Sequence, residues 1–113
     1  GEKMNLESHE RLNKSIIDMC QSIRTGKRPV YTVSSEDVLA NFKRLADDLG
    51  LTPEVVAWVY FKKHTDAILS YIKHPDKRGT DPEGIAGRFA DAINYLLIMY
   101  SITEENAPVR TML

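Results

Sequence analysis

Lys63, His64, Arg88, Asp91 and Asn94 are the residues of this chain whose types and spacing could do chemistry. His64 has Tyr60, Phe61, Ala67 and Ile68 three and four positions away, and Ala57 and Tyr71 one further turn off, so on a helix its imidazole projects from an apolar stripe. Burying that ring costs free energy unless it finds a hydrogen-bond partner, and a carbonyl or a tyrosine satisfies it as simply as a ligand does. Lys63 lies among Val56, Val59, Tyr60 and Ala67 with Asp66 as local counter-charge, where a lysine can also snorkel to solvent. Arg88, Asp91 and Asn94 recur every third residue, and Gly84, Gly87 and Ala90 run along the same side. Arg88 with Asp91 reads equally as a surface ion pair, which contributes a few tenths of a kcal/mol. Each glycine costs a helix roughly 1 kcal/mol relative to alanine, so two of them imply close approach by a neighbouring backbone or a ligand.

Asn41, Lys27, Arg28, Tyr31 and Tyr60 extend this set. Cationic donors, amides and aromatic faces together suit a phosphorylated nucleotide. In that reading Lys63, His64 and Arg88 contact phosphate, with Arg28 near the site. Asn41 or Asn94 reads a base or ribose edge, and Tyr31 or Tyr60 stacks on the ring. The basic stretch from Lys73 through Lys77, Arg78 and Gly79 reads as a solvated loop, or as a lid over such a site.

Four amphipathic helices must position these groups. In the first, about residues 5–25, Leu12, Ile16, Met19, Cys20 and Ile23 share a face; Thr25-Gly26 ends it, and Pro29 predicts an extended loop over 26–32. Ser34 and Ser35 offer N-caps for a second helix, about 35–49, with Val38, Leu39, Phe42, Leu45, Ala46 and Leu49 as its stripe and Gly50 as its stop. Thr52-Pro53-Glu54 and Asp81-Pro82-Glu83 share one opening grammar: a capping side chain, a proline, then an acid at the positive end of the dipole. They predict helices over 53–73 and 82–102. The only competing strand pattern is a weak one at Val30 to Val33. The fold expected is all-α, a four-helix-bundle-like single domain spanning 1–113. Apolar residues from Val55 to Phe61 wrap most of the third helix, more than one small bundle covers, so a homo-oligomer is expected, most simply a dimer.

Composition excludes several classes. A length of 113 residues supports one core. Fifteen Lys and Arg against sixteen Asp and Glu give a net charge of -1, which lacks the basic field of a duplex-nucleic-acid binder. A lone cysteine, Cys20, makes no internal disulfide, and no Cys/His pairs supply a zinc site. The longest apolar run is far below the roughly 20 residues of a membrane span. A cytoplasmic protein with no membrane partner and no resident cofactor is expected.

Asn41-Phe42-Lys43, Lys63-His64 after Val59-Tyr60, and the run from Gly87-Arg88 through Asp91 and Asn94-Tyr95-Leu96 resemble small phage and prophage proteins. These are the nucleotide-modification-associated helical domains and, more distantly, the MazG-like all-α nucleotide pyrophosphohydrolases; the resemblance covers roughly Lys27 to Ile102. It implies a helical oligomer, in the host cytoplasm if phage-encoded, that handles nucleotides between facing helices. Catalytic MazG-like proteins hold magnesium on Glu-x-x-Glu and Glu-x-x-Asp motifs. Here Arg88-x-x-Asp91 replaces the second motif, and Glu36-Asp37 and Asp47-Asp48 do not make the first. Three readings follow. One is a nucleotide-binding protein without catalysis that sequesters a nucleotide-derived signal. Another is a magnesium-dependent pyrophosphohydrolase using Asp66 and Asp91, helped by Glu83 or Asp37. The third is a helical interaction module that buries its Trp58 face against a host protein.

Overall fold

The computed structural model describes residues 3–31, 37, 39–77 and 84–107, with the side chains of 27–31 and 77 outside that set. Its elements are α1 (Leu6–Tyr31), α2 (Ala40–Leu49), α3 (Pro53–Lys73), a 3-10 turn at Pro75–Lys77 and α4 (Ile85–Asn106). No strand occurs among the described residues, so the all-α expectation holds.

α3 begins as its sequence predicts. The Thr52 side chain accepts from the Val55 N–H at 3.3 Å, Pro53 opens the helix, and Glu54 sits in the first turn. Gly50 ends α2 in the left-handed region at φ 68°, where the Leu51 N–H reaches the Ala46 carbonyl at 2.9 Å and its own N–H reaches that of Asp47 at 3.3 Å.

Other boundaries move. α1 does not stop at Thr25-Gly26 but continues to Tyr31, so the extended loop predicted over 26–32 is helical as far as Tyr31. Gly26 stays out of the left-handed region, and Pro29 falls in the last turn, where its missing N–H forgoes one bond, that to the Thr25 carbonyl. The grip of Arg24 on α4 secures the turn before it. α2 starts five residues later than predicted, and Ser34 and Ser35 lie outside the described residues. Asp37 holds its start instead: Oδ1 accepts from the Leu39 N–H at 2.9 Å and Oδ2 from Lys43 Nζ at 2.7 Å. α4 begins at Ile85 rather than 82, because Gly84 adopts φ 76°, ψ 154°, a conformation that essentially only glycine tolerates. Asp81, Pro82 and Glu83 lie outside the described residues. At its other end α4 runs on to Asn106, whose amide donates to Glu54 Oε1 at 2.9 Å.

Two contacts fix the central pair as antiparallel: Asn106 with Glu54 at one end and His64 with Asp91 midway. α1 lies parallel to α4, Cys20 against Ala90 and Arg24 against Asn94. Folding back at Gly50, α2 sets Phe42 edge-on to Tyr60 and Tyr95, with ring centroids 6.4 and 6.3 Å apart. Leu39, Phe42, Ala46, Val56, Ala57, Tyr95 and Ile102 form the core, flanked by Leu45, Phe61, Ile98 and Met99. Lys43 bridges Asp37 and Glu105, at 2.7 and 2.9 Å, and so ties α2 to the end of α4. No described helix is long and apolar enough to cross a membrane.

Candidate functional site

Asp91 and Asn94 are the buried polar side chains among the described residues, on a helix otherwise rich in apolar residues. Their environment comes from three helices. The Asn94 amide is held at both ends: Oδ1 accepts from Arg24 Nη1 at 2.8 Å, and Nδ2 donates to the Cys20 carbonyl at 3.1 Å. Both partners belong to α1, four residues apart and therefore on one face. Asp91, one turn earlier on α4, places Oδ2 3.7 Å from His64 Nδ1, and both side chains are about nine-tenths buried. The His64 ring stacks on Tyr95 at 5.4 Å, and Tyr95 stacks on Tyr60 at 5.7 Å, so three rings form a column between α3 and α4. Arg88 is half-buried three residues before Asp91.

Charge accumulates in this seam. Burial pushes the Cys20 thiol up from its ordinary value; Arg24, one turn on in α1, opposes that, and the Asp91 carboxylate adds to it across the α1–α4 contact. The seam thus sets Arg24 on the Asn94 amide and His64 beside the Asp91 carboxylate, with Arg88 one turn before Asp91 on α4. Gly87, on the same α4 stripe, has open space where a Cβ would stand. The expected close approach of a backbone is therefore absent there, and Gly84 precedes the helix rather than lying within it.

Of the residues singled out from sequence, the structure brings His64 and Asp91 together, links Tyr60 to His64 through Tyr95, holds Asn94 against α1, and places Arg88 one turn before Asp91 on α4. Lys63 is elsewhere. It lines an open depression of about 410 Å³ with Trp58, Val59, Lys62 and Asp66 on the outer side of α3, because one residue turns a helix by about 100°. Asp66 pairs with Lys62, not with Lys63. Asn41 accepts from Arg44 at 3.0 Å, and α2 meets the ring column through Phe42. The side chains of Lys27, Arg28 and Tyr31 lie outside the described residues, as do Arg78, Gly79 and Thr80. Arg24 was not among the candidates, although the four-residue step from Cys20 sets it at the edge of the apolar face of α1.

Among the described residues the donors do not fit magnesium; Glu83 lies outside them. Asp66 is engaged with Lys62 on the outer side of α3 while Asp91 faces His64 within the seam, so the two do not meet on one ion within a chain. Asp37 is taken by Lys43, which also binds Glu105, fourteen residues or roughly 21 Å along α4 from Asp91. Among the described residues no group of three or more His, Cys, Asp or Glu stands close enough to hold a metal. Comparison of the chain with protein-family models, with curated proteins and with solved structures finds no match.

Proposed function

We propose that this protein binds a phosphorylated nucleotide, or a signal derived from one, without turning it over, at the seam between α1, α3 and α4. The observation that carries the reading is the burial of Asp91 and Asn94 on apolar α4, with His64 facing the first, Arg24 bound to the second, and Arg88 one turn before Asp91. Guanidinium groups offer paired donors matched to phosphate oxygens. The ring column beside them gives a flat face for a base, and a carboxylate accepts from ribose hydroxyls or base amines. Open space at Gly87 lets a ligand approach the α4 backbone.

Thermal-shift titration with a nucleotide panel, with and without magnesium, tests this. At about 100 times its dissociation constant a ligand stabilises the folded state by roughly 2.7 kcal/mol, readily seen in a domain of this size. A rise in melting temperature is expected with no phosphate released in either condition. Arg24→Ala and Arg88→Ala abolish the rise, while Lys63→Ala keeps it. No rise with any nucleotide, or an unchanged rise in Arg24→Ala, contradicts the reading. A second reading, a helical module acting on another protein, is favoured by the 54 % exposure of Trp58.

A further inference from the structure

Among the described residues the α3–α4 pair is covered on one side only. α2 packs on Val56 through the cluster of Leu39, Phe42 and Ala46, and α1 packs on Ala90 and Asn94. Trp58 lies two residues on from Val56, and Leu96 two residues on from Asn94, each about 200° around its helix from the covered side. These residues open two exposed apolar stripes. On α3, Val55, Trp58, Leu69 and Ile72 are 44–57 % exposed. On α4, Phe89, Leu96 and Tyr100 are 43–62 % exposed.

The α3 stripe keeps an alternating spacing of three and four, with Lys62 and Thr65 completing positions 55, 58, 62, 65, 69 and 72. That is the pattern of a helix packed against other helices at a shallow crossing angle. Each of the seven apolar side chains exposes on the order of 100 Å². Together they offer roughly 700 Å², close to the 800 Å² or so that one partner contributes to a stable interface. At the middle of the stripe stands the Lys62–Asp66 ion pair, one charge of each sign. A two-fold axis beside it lets each Lys62 meet either its own Asp66 or the other copy's, so the patch is complementary to itself.

We infer that the occupant of this face is a second copy of the chain, the two α3–α4 pairs closing face to face into a four-helix bundle while α1 and α2 stay outside. The inference is independent of the nucleotide seam, which lies on the covered side. Sedimentation equilibrium of the full chain from low to high micromolar concentration tests it. Wild type is expected as a dimer, and Trp58→Glu and Leu96→Glu as monomers with unchanged helical circular dichroism, since neither side chain is buried within one chain. Lys62→Glu places like charges around the two-fold axis and is expected to weaken the dimer roughly tenfold. A wild-type monomer throughout overturns the inference. So does an assembly whose mass survives both the Trp58→Glu and Leu96→Glu variants, or a Lys62→Glu protein that associates as strongly as wild type.

Discussion

Single side chains divide here between those that hold helices together and those that stand ready for a ligand. Asn94 belongs to the first group. Replacing it with leucine leaves the Cys20 carbonyl and one Arg24 donor without their partner, and is expected to cost about 1–3 kcal/mol, read as a lower midpoint in urea unfolding. Gly87 separates packing from binding more cleanly. A methyl group there meets nothing, so Gly87→Ala should raise stability by up to about 1 kcal/mol through helix propensity. If the opening admits a nucleotide, the same variant binds it more weakly. Higher melting temperature with lower affinity is the expected combination, checked by thermal shift and calorimetry on one protein sample. His64 and Asp91 were recognisable in the sequence because polar residues interrupted apolar stripes, and the structure pairs them. Lys63 met the same local criterion and stands instead on the outer side of α3, since neighbours three and four away describe a helix surface without saying what faces it.

Helices were legible where their ends carry local chemistry. Thr52-Pro53-Glu54 and Gly50 appear as predicted because a cap bond and a left-handed glycine depend on few residues. Thr52→Ala is accordingly expected to cost about 1 kcal/mol, measured by denaturant unfolding. Where tertiary contacts decide, the local signs misled: α1, joined to α4 through Arg24, runs past Gly26, and α4, joined to Glu54 through Asn106, runs past Ile102, while α2 begins at Ala40 with Asp37 bound to the Leu39 N–H. The Asp37–Lys43–Glu105 link makes a pH prediction. Lys43 first, then the Leu39 N–H, holds the Asp37 carboxyl below its ordinary 3.8. A depressed acid contributes stability above its unfolded value and loses it as pH falls through the folded one. Lys43 is raised above 10.5, chiefly by Asp37 and Glu105, so its share is complete below 10.5 and is lost as pH rises through the higher folded value. Melting temperature should therefore fall as acid is added below about 4, and Asp37→Asn should flatten that limb. An unchanged acid limb would show that α2 is tethered by its apolar contacts alone.

Taken whole, the molecule has two unlike sides. Polar groups gather where α1 closes on α4 and α4 meets α3, and apolar side chains crowd the opposite side of the α3–α4 pair. The nucleotide proposal requires ligand contacts on the first side, and nuclear magnetic resonance of the isotope-labelled protein titrated with nucleotide reads this directly. The predicted result is shifts concentrated at the Arg24 guanidinium, the Asn94 side-chain amide, the Gly87 amide and the His64 ring, with Trp58 and Lys63 unmoved. Shifts confined to Trp58, Lys62 and Lys63, or none with any nucleotide, would contradict it.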